Sequence, residues 1–135
     1  MMVFKIKHVA LILLMTLLVS FGAISELRAD IKTLEPVELL VLKRKNPKVQ
    51  IVDVRDSWER KRAKIPKSKH IPLVEISSAK QRLNMDYPVV VYCRSGRRSQ
   101  HGAQILNKLG FKEVYTLEGG INAYSQEVDP SIPQY

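Results

Sequence analysis

The sequence predicts an α/β fold, a mostly parallel five-stranded sheet with helices on both faces. Three observations carry that expectation. Short apolar, β-branched runs recur at residues 49–54, 89–92 and 114–117, too continuously apolar for strands with one face in water. Stretches with apolar residues at helical spacing separate them. Pro36, Pro47, Gly110, Gly119 and Gly120 punctuate the joins. Strands that alternate with helices pair in parallel and are covered on both sides. In open sheets of this kind, ligands bind beyond the carboxyl ends of the strands.

The chain has 135 residues, enough for one domain with one core. Its first 29 residues stand apart. Lys5, Lys7 and His8 precede an uncharged apolar run over 9–24, followed by small residues and Leu27-Arg28-Ala29. As a helix that run spans only ~24 Å, short of the ~30 Å hydrocarbon core. A basic start and a short apolar stretch read as an export signal. Cleavage after Ala29 would leave residues 30–135 as the mature domain, periplasmic or secreted. The alternative is an uncleaved anchor over 9–24, the one route to membrane association.

Within the domain, residues 31–34 read as a weak first strand. Pro36 suits the first position of a helix, with Val37, Leu40 and Val41 on one face and an end at Asn46-Pro47. Residues 49–54 form a buried strand. The charged stretch 56–63 is a short helix or a loop, and residues 70–72 an extended piece. Residues 74–83 make a helix candidate with Val74, Ile76, Ala79 and Leu83 apolar. Residues 89–92 are a buried strand and 100–109 a helix, with Gly110 closing it. Residues 114–117 are the last strand, broken by Gly119-Gly120. No internal repeat or low-complexity segment is present.

Cys93, the single cysteine, lies on the turn between strand 89–92 and the helix after it. Cysteine becomes a strong nucleophile as a thiolate, with an ordinary pKa near ~8.5. The helix starting near Ser99 aims unpaired N–H groups and its positive end at the loop. Backbone N–H groups from Arg94 to Ser99 can curl into an anion nest. Arg94, Arg97 and Arg98 add positive charge, Gly96 permits a tight turn, and Ser99 is a candidate N-cap. The competing reading is a buried, inert cysteine with arginines in water. Phosphatase-type loops place an arginine six residues after the cysteine, where Ser99 stands here. This loop is one residue shorter, suited to a smaller reacting centre such as one sulfur atom.

Cys93-Arg94-Ser95-Gly96-Arg97-Arg98-Ser99 resembles the Cys-Arg-x-Gly-x-Arg-Ser loop of the rhodanese family of sulfurtransferases. Ile51-Val52-Asp53-Val54-Arg55 is similar to that family's strand ending in Asp-x-Arg. Leu109-Gly110-Phe111 and the segment Val114-Tyr115-Thr116-Leu117-Glu118-Gly119-Gly120-Ile121 resemble its late Gly-Phe and Gly-Gly segments. The tail over 128–135 resembles the end of rhodanese domains fused to cofactor-sulfurating enzymes. Two stretches depart. The family's Gly-His-Ile-Pro-Gly-Ala is here Ala63-Lys64-Ile65-Pro66-Lys67-Ser68, and Tyr124 stands for a tryptophan.

The resemblance implies a five-stranded rhodanese-like domain that moves sulfur from a small anionic donor such as thiosulfate. The acceptor would be a thiol or cyanide. Cys93 would carry the sulfur as a persulfide; Arg94, Ser95, Gly96, Arg97, Arg98 and Ser99 would bind the substrate. Asp53 and Arg55 would brace the loop. A binding or sulfur-carrier module on the same fold is the alternative. No cofactor is implied, and the scattered histidines and single cysteine lack metal-ligand spacing. The net charge of +9 favours anionic partners, with a plain solvated basic face as the simpler reading. No aromatic-interleaved basic motif points to nucleic acid. A monomer is expected.

Overall fold

The computed structural model describes residues 30–135, together with Val3 and Ile6 of the preceding segment. The expected export signal or anchor over 9–24 lies outside the described residues. The domain runs β1 (Lys32–Leu34), α1 (Pro36–Lys45), β2 (Gln50–Asp53), α2 (Ser57–Arg62) and β3 (Lys69–His70). It continues through a 3-10 helix (Leu73–Gln81), β4 (Val89–Tyr92), α3 (Arg97–Lys108), β5 (Val114–Leu117) and α4 (Gly120–Glu127). The five strands form one sheet in the order β1-β5-β4-β2-β3, and every pairing is parallel.

Side-chain alternation along β4 builds two cores. Val89 and Val91 point, with Cys93, into one that also takes Ile76 from the 3-10 helix and Ala103 and Leu106 from α3. Val90 and Tyr92 point into the other, with Leu39 from α1 and Ile121 and Tyr124 from α4. Strands buried on both faces have no polar side to show, which is why residues 89–91 are uniformly valine. The sheet with helices on both faces is as expected.

Three local readings are corrected. On α1 the buried residues are Pro36 and Leu39, while Val37 and Val41 are 53% and 42% exposed. Apolar residues run almost all round this helix, so periodicity alone does not select a face. The stretch predicted as a helix over 74–83 is a 3-10 helix. Pro72 precedes it, β-branched Val74 and Ile76 crowd it, and Ser78 Oγ donates to the Glu75 carbonyl at 2.8 Å, a local bond that competes with the α-helical ladder. Val74, expected on its apolar face, is 90% exposed. Finally, α4 follows the glycine pair where the sequence reading placed no element.

The stretch that departs from the family's glycines keeps its turn. Lys67 takes a left-handed φ of 62°, a conformation costly for a residue with a Cβ. Ser68 beside it holds the turn, its N–H and Oγ both donating to the Ile65 carbonyl.

Candidate active site

Cys93 follows directly on β4, at the carboxyl end of the sheet's central strand, and is 1% exposed. The backbone N–H of Gly96 donates to its sulfur at 3.1 Å. Gly96 has φ 111° and caps α3, so the helix starts at Arg97, not near Ser99. Ser99 is therefore not the N-cap. It lies buried in the first turn, its Oγ donating to the Gly96 carbonyl at 2.7 Å and standing 3.7 Å from Cys93 Sγ. Arg94, Ser95 and Arg97 are exposed, Gly96 and Arg98 half-buried. The loop thus folds around the sulfur with the positive end of α3 behind it.

A second segment fixes the loop from the far side. The N–H groups of Ile121 and Asn122, in the first turn of α4, donate to the carbonyls of Cys93 and Arg94 at 2.9 and 3.2 Å. This approach requires Gly120, whose φ is 59° and where a Cβ would stand 2.4 Å from the Cys93 carbonyl oxygen. The adjoining Asn122 Oδ1 is buried without a hydrogen-bond partner among the described residues.

Asp53 and Arg55 sit at the end of β2 beside the loop, both fully buried and joined by two bonds, Nε to Oδ1 at 2.9 Å and Nη2 to Oδ2 at 2.7 Å. Tyr92 Oη donates to Asp53 Oδ2 at 2.9 Å, and Arg60 reaches the same oxygen at 3.2 Å. Burial alone would raise the Asp53 carboxyl, but the hydrogen bonds and charge of Arg55 outweigh it and hold the group below its ordinary value. Burial, reinforced by the Asp53 charge, pushes the Tyr92 phenol up to about 12, so it serves as a donor. A buried ion pair is tolerable only when its remaining valences are met. Arg55 meets them through the Ala63 carbonyl at 2.7 Å and through Tyr135 Oη at 2.5 Å.

Tyr135 carries the brace across to the loop. Its hydroxyl donates to Glu59 Oε1 at 3.0 Å, and Glu59 holds Arg98 in a two-point pair at 2.6 and 2.7 Å. The Arg98 hydrogen bonds pull the Glu59 carboxyl down to about 2. Arg98 is raised above its ordinary value, first by its hydrogen bonds to Glu59. Arg98 is thus a fixed charge beside the loop, committed to a carboxylate. The sequence reading named neither Glu59 nor Tyr92 nor Tyr135. Asp56 and Glu59 stand three apart before a helix, the spacing of the capping box they form, and that signal could have drawn attention to Glu59. Tyr92 ends an aliphatic strand with a polar tip that needs a partner.

A shallow cleft of ≈ 510 Å³ lined by Lys32, Asp86, Lys112 and Val114 opens at the other end of the strands. No group of acidic, histidine or cysteine side chains suited to a metal occurs among the described residues.

The rhodanese-like domain family model matches residues 36–127, more than half of the chain. The Arabidopsis thaliana protein named "Rhodanese-like/PpiC domain-containing protein 12, chloroplastic" is 38% identical over 116 residues, which cover 80% of this chain and 38% of that protein. The Bacillus subtilis "Putative sulfur carrier protein YrkF" is 35% identical over 81 residues, covering 60% of this chain and 44% of that protein. The chain therefore spans less than half the length of these two relatives. The crystal structure of a rhodanese-like domain protein from Staphylococcus aureus superposes with a TM-score of 0.66 at 28% identity, over 78% of this chain and 99% of that one. The parallel five-stranded sheet, the cysteine loop at the end of β4 and these matches agree, and the chain belongs to the rhodanese-like domain family.

Proposed function

We propose that the protein is a sulfurtransferase working through a Cys93 persulfide. The Cys93 thiolate attacks the outer sulfur of an anionic donor such as thiosulfate. A new S–S bond forms, the donor's S–S bond breaks, and its electron pair leaves with sulfite. A thiolate or cyanide then attacks the outer sulfur, and the electron pair of the breaking bond returns to Cys93. This is covalent catalysis by an activated nucleophile, and no cofactor enters either step. The observation that carries the reading is the Gly96 N–H donated to the Cys93 sulfur at 3.1 Å, in a loop capped by the start of α3. Arg94 and Arg97, exposed on the same loop, meet the donor's anionic end, while Arg98 supplies a fixed positive field from its place on Glu59.

The test is intact-mass analysis after incubation with thiosulfate. The protein should gain one sulfur atom, cyanide should remove it, and Cys93→Ser should gain none. A wild-type protein that takes up no sulfur overturns the reading. The second reading, a sulfur-carrying or partner-binding module, is favoured by the 1% exposure of Cys93 and by the printed name of YrkF. Steady-state turnover with thiosulfate and cyanide separates the two, since a carrier loads once and does not cycle. Residues 1–29 act in this proposal as an export signal, with action outside the cytoplasm; the N-terminal residue of the exported protein tests that directly.

A further inference from the structure

The arginines around the site fall into two groups. Arg55, Arg60 and Arg98 each reach a carboxylate. Arg62, Arg94 and Arg97 reach none among the described residues, and two of these, Arg62 and Arg94, converge. Their guanidinium carbons lie 5.3 and 5.0 Å from the centroid of one ring, that of Tyr135. Both side chains are exposed. Each cation is drawn to the ring, and neither forms an ion pair among the described residues. The ring itself is fixed, because its hydroxyl is held by Arg55 and Glu59. Trp58 packs against it edge-on at 6.0 Å. The result is an aromatic shelf bearing two exposed positive charges outside any ion pair, one of them on the residue that follows Cys93.

We propose that this shelf is an anion subsite for the sulfur acceptor, and that the acceptor is a thiol carrying a carboxylate a few bonds from its sulfur. The proposal rests on the persulfide reading. Arg62 and Arg94 hold the carboxylate while the acceptor's thiolate attacks the outer sulfur of the Cys93 persulfide. The Cys93–sulfur bond breaks, its electron pair stays on Cys93, and the acceptor leaves as a persulfide.

The full chain is loaded with thiosulfate, freed of donor, and discharged with 3-mercaptopropionate or with 2-mercaptoethanol, at matched thiolate concentration and followed by mass. The charged thiol should discharge the wild type about fivefold faster, as expected for an exposed charge contact. Arg62→Gln should remove most of that advantage and leave the 2-mercaptoethanol rate within about twofold. Arg62→Lys should keep part of it. Equal rates for the two thiols in the wild type, or an Arg62→Gln loss that falls on both alike, overturn the subsite. A second readout is independent of sulfur loading. Trp58 is the single tryptophan, and its fluorescence should change saturably with 3-mercaptopropionate in the wild type and not in Arg62→Gln. Saturable binding without sulfur uptake leaves the subsite standing and defeats the persulfide reading; absence of saturable binding defeats the subsite.

Discussion

Glu59 accepts four hydrogen bonds through two oxygens: from Arg98 twice, from the Asp56 N–H and from Tyr135 Oη. A carboxylate so fully solvated by donors keeps its charge when buried. Its pKa falls from an ordinary 4.5 to about 2 on folding. Folding therefore gains from Glu59 above about pH 4.5 and loses that support as pH drops toward 2. The gain is at most about 3 kcal/mol. Glu59→Gln should lower the urea midpoint at pH 7, and the gap to wild type should close as pH falls to about 2.5. A gap that stays constant across that range would contradict this role. The sequence could not reveal these contacts, because Arg98 and Tyr135 lie 39 and 76 residues from Glu59. The surroundings of Cys93, by contrast, are local: the Gly96 N–H donor and the Ser99 hydroxyl lie three and six residues along the chain from it, within reach of a sequence motif.

At the scale of elements, sequence pattern succeeded where burial is two-sided and along α3, whose Ala103 and Leu106 are buried as expected, and it failed on two outer segments. The strands at 50–53, 89–92 and 114–117 are covered on both faces, so no choice of face was needed. The two outer helical segments demanded such a choice from ambiguous runs. In α1 the choice has a measurable consequence. Leu39→Ala should cost about 2–4 kcal/mol in chemical denaturation, as for a fully buried leucine, whereas Val41→Ala should stay within about 1 kcal/mol. Equal losses at the two positions would restore the face that the sequence suggested. The 3-10 helix carries the same lesson, with Ile76 and Ala79 buried beside a solvent-facing Val74. Helix α4 escaped notice because its start is set by an approach to the Cys93 carbonyl, a distance that no local pattern encodes.

For the whole molecule, charge is the property that composition states most directly. The net charge of +9 belongs to the whole chain, and at the site the acids Asp53 and Glu59 are taken up by arginines. The cations near the loop that lie outside any ion pair are exposed, so their field reaches solvent and is screened by salt. Raising ionic strength from about 0.01 to 0.15 M shortens the screening length from about 30 to 8 Å. The kcat/KM for thiosulfate should fall several-fold over that range while kcat changes little. A flat profile would show that the basic surface does not steer the donor.

The hold of α4 on the Cys93 and Arg94 carbonyls also sets an order of events. Cys93 comes about two-thirds of the way along the chain, while the groups that hold its loop and the brace beside it come later, at Ile121, Asn122 and Tyr135. During synthesis, a chain that has emerged only as far as Leu117 owns Cys93 and the loop arginines but not the donors that fix the Cys93 and Arg94 carbonyls or the tyrosine that ties Arg55 to Glu59. In the persulfide reading, the sulfur gains its fixed surroundings only once the last helix and tail have docked.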